Sequence, residues 1–180
     1  MIYKYEPNVN LMTKATIVIM RHAKSDQSAN VADIERPLNE RGLRDAEKMG
    51  VWLKAQKIIP DRIVSSPALR ARQTTQIVCK QLGSDIKDII WDERVYEAGL
   101  GNLLDVISDH KKHTNCLMLT GHNPILEQLL EYLSQDEPRR NKDGKLLTAA
   151  AIAVLQYDES GISTKSQSGQ LIELARPKEI

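Results

Sequence analysis

The chain has 180 residues, 41% of them hydrophobic and 27% charged, the balance of a single soluble globular domain long enough to bury a core. Twenty-five Lys and Arg against 24 Asp and Glu leave a formal charge of +1, which gives no global case for nucleic acid or an anionic membrane as partner. Two cysteines are too few for a disulfide scaffold and fit a cytoplasmic setting, and no run approaches the ~18 apolar residues of a membrane span.

Residues 1–14 scatter Lys4, Glu6 and Lys14 among apolar residues, without the apolar stretch of a signal peptide. They are expected to form an N-terminal extension to one domain over residues 15–180. Thr16–Met20 is β-branched and apolar on both faces, as a buried parallel strand requires. A polar loop follows from Lys24 to about Leu38. Asn39 then caps a helix running to about Lys57, with Leu43, Ala46, Gly50 and Leu53 at helical spacing and Met49 and Trp52 beside them. Arg62–Val64 is the next short strand. Ser66 and Pro67 predict a helix start, Ser as N-cap and Pro at the first helical position. Ala71, Thr75, Val78 and Leu82 mark its inner face, and Gly83 ends it.

Residues 86–95 hold another strand, and Leu100–His113 a shorter helix with Leu103, Leu104 and Ile107 inward. Cys116–Thr120 is an apolar strand, broken by Gly121-His122-Asn123-Pro124. Pro124 opens a helix through Leu133, Thr148–Tyr157 is a strand, and the remainder supplies one or two edge strands. Short apolar runs alternating with amphipathic stretches predict an α/β domain with a mostly parallel central sheet and helices on both faces.

In such sheets ligands sit beyond the carboxyl ends of the strands. The strand ending at Met20 delivers Arg21 and His22. The one ending near Val64 delivers Ser65, Ser66 and, in the next helical turn, Arg70. Those ending at Thr120 and near Val95 deliver His122 and Glu97. Two arginines can neutralise a phosphate group carrying about −1.5 to −2 charges and bind its oxygens in pairs. A neutral imidazole is a competent nucleophile toward phosphorus. A second His can donate to oxygens whose charge grows in the transition state, and a carboxyl can protonate the leaving atom and then activate water.

Arg21-His22-Ala23 after an apolar strand resembles the Arg-His-Gly signature of the histidine phosphatase superfamily, the phosphoglycerate-mutase-like fold. The run from Ser65 through Arg70 to Thr74 resembles its second signature, Gly121-His122-Asn123-Pro124 its third, and Arg36-Pro37-Leu38 with Gly42 a further common stretch. Length and short connections resemble the compact SixA-type phosphohistidine phosphatase branch. The resemblance implies a phosphorylated His22, with Arg21, Arg70 and His122 holding the phosphoryl group, Ser25 and Asn123 as further donors, and Glu97 as the acid. Ala23 departs from Gly, and Glu93 lies close enough to Glu97 to compete for that role.

The implied substrate is a phosphohistidine protein or a small phosphomonoester, hydrolysed without metal or cofactor. A phosphoglycerate-type mutase is the alternative on the same fold, and a non-catalytic phosphate-binding or interaction module the alternative of another class. His110 and His113 are read as surface histidines with no third metal ligand beside them, and the basic run from Arg139 to Lys142 as a polar loop.

Overall fold

A computed structural model describes residues 14–97 and 99–180. Most of the expected N-terminal extension therefore lies outside the described residues. The strands are β1 (Thr16–Arg21), β2 (Arg62–Ser65), β3 (Ile89–Trp91), β4 (Cys116–Gly121), β5 (Ile152–Gln156) and β6 (Gln170–Ala175). The helices are α1 (Glu40–Ala55), α2 (Leu69–Leu82), α3 (Leu100–His110) and α4 (Ile125–Leu133). The strands form one sheet in the order β3-β2-β4-β1-β5-β6. The first four are mutually parallel, and β5 and β6 run antiparallel, which makes the sheet mixed but mostly parallel.

Side chains alternate across a strand, so β1 feeds two cores. Ile17 and Ile19 pack in the cluster that contains Leu103, Ile107, Leu126 and Leu129 from α3 and α4. Val18 and Met20 pack in the other, with Ala46, Met49 and Leu53 of α1 and Val78 of α2. Both faces of β1 are dry, which is why its sequence shows no polar alternation.

Asn39 caps α1 as expected, its side chain accepting from the Gly42 N–H at 2.8 Å. Gly42 is there for space. A Cβ at this position would lie 2.1 Å from the Lys24 carbonyl oxygen, because the chain leaving β1 crosses the first turn of α1. The same oxygen accepts from Asn39 N–H at 3.0 Å, tying the segment after His22 to the helix.

Several boundaries differ from expectation. Met49 faces inward and Leu43 is 42% exposed, since the buried stripe runs through Gly42, Ala46, Met49, Gly50 and Leu53. α2 starts at Leu69 rather than Pro67: Ser66 N–H still bonds to Thr120 O, so Ser66 extends the strand end before the chain turns. The strand expected over 86–95 shrinks to Ile89–Trp91 between 3-10 turns at Ile86–Asp88 and Glu93–Val95, started by Asp85 and Asp92 side chains. α3 stops at His110, and His113 sits beyond it with φ +59°, so the two histidines share no helical face. β5 begins only at Ile152.

Candidate active site

The parallel strands end nearly flush, Arg21 pairing with Gly121 and Ser65 with Thr120. The next residues, His22, Ser66 and His122, therefore stand side by side. His22 N–H bonds to Gly121 O at 3.0 Å, and Ala23 N–H to Thr74 Oγ1 at 3.0 Å. Thr74 in turn donates to Arg70 O at 2.7 Å, which locks the loop after β1 onto α2. Ala23 is fully buried in this joint.

The His22 and His122 rings lie 5.0 Å apart. His22 Nδ1 is 2.7 Å from the Ala23 carbonyl oxygen. A carbonyl only accepts, so the proton sits on Nδ1 and the lone pair on Nε2. Burial pushes the His22 pKa down to about 3; the Ala23 carbonyl opposes this, and the charges of His122, Arg70 and Arg21 add to it. His22 is therefore neutral at pH 7, as a nucleophile must be.

His122 is set by a relay. Ala68 N–H donates to Ser66 Oγ at 3.3 Å, and Ser66 Oγ lies 2.8 Å from His122 Nε2. A Ser66 hydroxyl that donates to Nε2 sets the imidazole proton on Nδ1, which is buried without a partner. Burial and the Arg70 charge lower the His122 pKa to about 4, against the raising influence of Asp33. This is a neutral ring presenting one unused N–H.

Each arginine also keeps its Nε donor in reserve. Arg21 Nη1 donates to Leu147 O at 2.9 Å, and Arg70, 5% exposed, donates from Nη1 to Asp33 O at 2.6 Å and from Nη2 to Asp33 Oδ2 at 2.8 Å. The Nε of each is buried with no partner. A buried N–H without an acceptor costs about 1–3 kcal/mol, and folded proteins leave few of them. Three such donors cluster around a neutral imidazole, which is the arrangement an oxyanion would complete.

The other expected site residues lie at the margins. Ser25 is buried beside His22 and accepts from Gln27 Nε2 at 3.0 Å. Asn123 spends its amide donor on Glu127 Oε1 and Leu147 O, leaving only Oδ1, an acceptor, uncommitted. Glu97 is exposed, and its side chain makes no hydrogen bond or ion pair among the described residues. Two residues at the site escaped the sequence reading. Tyr96 stands edge-on to His122 at 5.6 Å and beneath the Arg70 guanidinium at 6.0 Å. Its hydroxyl donates to Asp33 Oδ2 at 3.1 Å. Tyr96 sits next to Glu97 and Asp33 three residues before Arg36, but only the folded chain shows that both reach Arg70. Among the described residues no group of three His, Cys, Asp or Glu side chains is placed to hold a metal ion.

Residues 17–106 match the family model of the histidine phosphatase superfamily, branch 1. With a strand-end histidine, two arginines and a second histidine in the places described, the chain belongs to this superfamily. Within it, the chain is 30% identical over 150 residues to the phosphohistidine phosphatase SixA of Escherichia coli, covering 82% of this chain and 89% of SixA. It is 36% identical over 110 residues to the uncharacterised protein Rv1276c of Mycobacterium tuberculosis, spanning 61% of this chain but only 66% of that protein. The solved structure of SixA complexed with tungstate superposes with a TM-score of 0.75 at 25% identity, covering 91% of this chain and 98% of that one.

Proposed function

We propose that the protein is a phosphatase that removes a phosphoryl group from a phosphohistidine protein or a small phosphomonoester through a phosphohistidine intermediate on His22. The observation that carries this reading is the set of unpartnered buried donors, Arg21 Nε, Arg70 Nε and His122 Nδ1, grouped with an uncharged His22. The similar SixA structure holds tungstate, an oxyanion.

In this mechanism Arg21 and Arg70 bind the phosphoryl oxygens, and His122 donates to them as charge grows. His22 Nε2 attacks phosphorus in line, a P–N bond forms and the bond to the leaving oxygen or nitrogen breaks. The phosphorylated ring becomes cationic, and the Nδ1–H to Ala23 O bond stabilises that charge. Glu97, the uncommitted carboxyl beside Tyr96, protonates the leaving atom and as carboxylate activates water. Water then attacks phosphorus, releasing inorganic phosphate and restoring neutral His22. Ser25 shapes the floor beside His22, and Asn123 holds the Leu147 peptide against Arg21. A cytoplasmic setting belongs to the same reading: both cysteines are free and buried, and burial raises each thiol to about 11. No helix among the described residues is long and apolar enough to cross a membrane.

The test is rapid quenching into alkaline detergent after mixing with a radiolabelled phosphoryl donor. Wild type should carry an acid-labile, base-stable label, and His22→Ala should carry none and lose at least about 10³-fold in turnover of 4-nitrophenyl phosphate. Full activity in that variant would overturn the mechanism.

A further inference from the structure

His22 and Arg21 open onto a cavity of about 650 Å³. That is the size that encloses a small ligand rather than a flat protein face. Its lining includes Lys24, Lys142, Lys145 and Lys178. All four are exposed and form no ion pair among the described residues. Arg41 also lines the cavity, its Nε on Asp45 at 3.2 Å. Of the two lining carboxylates, Glu179 is taken by Arg176 at 2.9 Å, which leaves Asp143 alone unpaired. In a chain of net charge +1, this is a local concentration of like charge. Like charges gathered around a concavity repel one another, and a bound anion relieves that repulsion.

The walls that carry these lysines are fastened to the reacting cluster. Leu147 N–H donates to Glu127 Oε1 at 2.8 Å, while Leu147 O accepts from Arg21 Nη1 and Asn123 Nδ2, both at 2.9 Å. The peptide after Lys145 is thus held by the same arginine that faces the phosphoryl site. Arg176, 7% exposed, donates from Nε to Leu146 O at 3.1 Å and from Nη2 to Arg139 O at 2.8 Å. It joins the segment bearing Lys178 to the loop bearing Lys142 and Lys145. Half-buried Arg21 and buried Arg176 therefore build the frame, and four free ammonium groups line it.

Resting on the phosphatase reading, we propose that this cavity is a second anion subsite, in which Lys24, Lys142, Lys145 and Lys178 hold a further phosphate or carboxylate group of a small polyanionic substrate. The only aromatic ring among the described lining residues is the imidazole of His22, the nucleophile itself, whereas cations are concentrated there. The ligand class is a compact polyanion.

A matched pair of substrates tests this: phenyl phosphate, and 4-(phosphonomethyl)phenyl phosphate, which adds a second anion that cannot be hydrolysed. In wild type the second compound should have a kcat/KM at least about 10-fold higher, chiefly through KM. That ratio should fall to about one in Lys142→Ala/Lys145→Ala and survive in Lys142→Arg/Lys145→Arg. A wild-type ratio of one, or a ratio unchanged in the alanine pair, overturns the subsite. If a phosphohistidine protein exceeds both compounds and only that advantage disappears in the alanine pair, the lysines serve an acidic protein and the small-ligand assignment falls. No turnover of either compound and none of a phosphohistidine protein overturns the phosphatase reading itself, whereas turnover of the protein alone, or equal turnover of both compounds, overturns the subsite alone.

Discussion

The strand-end cluster and the lysine-lined cavity share Arg21 and His22 but are built on opposite terms. In the cluster the groups around the nucleophile are immobilised, His22 by the Ala23 carbonyl, His122 by Ser66 and Arg70 by Asp33, and Glu97 alone is uncommitted. In the cavity the four lysines are exposed, on long flexible stems, and unpaired. Fixed, desolvated groups suit charge that develops for an instant, because they need no rearrangement at that moment. Mobile surface cations suit a charge the ligand already has. Changes in the cluster should therefore act on kcat, and changes in the cavity on KM.

Arg70 gives the sharpest test of that division. Arg70→Lys keeps the charge but loses the planar fork that reaches Asp33 and an oxyanion together. It should lower kcat for 4-nitrophenyl phosphate about 10²-fold, with KM changed far less. A change confined to KM would erase the distinction between the two regions. Glu97→Gln comes next. With an alkyl phosphate, whose alkoxide needs a proton, kcat/KM should fall about 30-fold; with 4-nitrophenyl phosphate it should stay within about twofold. Equal effects on both would remove Glu97 from the cluster. Ser66→Ala should cost about 10-fold in kcat, because His122 is then free to carry its proton on either nitrogen, and Ser66→Thr should restore most of it.

A separate effect, on stability rather than rate, sets the two regions apart as well. His22 and His122 are held neutral, at about 3 and about 4, against 6.5 in the unfolded chain. Between these values the unfolded chain binds more protons. Stability is thus complete above about pH 6.5 and falls as pH drops toward 4, by about 1.4 kcal/mol per pH unit for each ring. Urea midpoints at pH 7 and pH 5 measure this, and His122→Gln should reduce the slope. Cavity lysines should leave it untouched.

What the sequence discloses depends on how local the cause is. β1 is legible because both its faces are buried and its composition says so. His22 and His122 are legible because strand ends in a parallel sheet are where ligands go, and flush registers then bring them together. The start of α2 is misread because Ser66 looks like a cap, while its hydroxyl serves His122 across a different strand. Leu43 and Met49 exchange roles because a stripe that includes small Gly42 rotates the buried face. Tyr96 and Asp33 are invisible until a 37-residue separation closes between Asp33 and Arg70. The cavity is harder still, since its lysines come from residues 24, 142, 145 and 178 and look like ordinary solvated charge in the chain.

The Asp33–Arg70 pair bears on how a catalytic cycle ends. Asp33 is itself an oxyanion, and it already occupies both terminal nitrogens of Arg70 through its carbonyl and carboxylate. An arriving phosphate meets a partner that is only partly vacant, so binding is an exchange of one anion for another rather than a capture by a bare cation. The gain on binding is smaller, and departing inorganic phosphate leaves behind an arginine whose replacement ligand stands beside it. The pairing makes the product easier to let go.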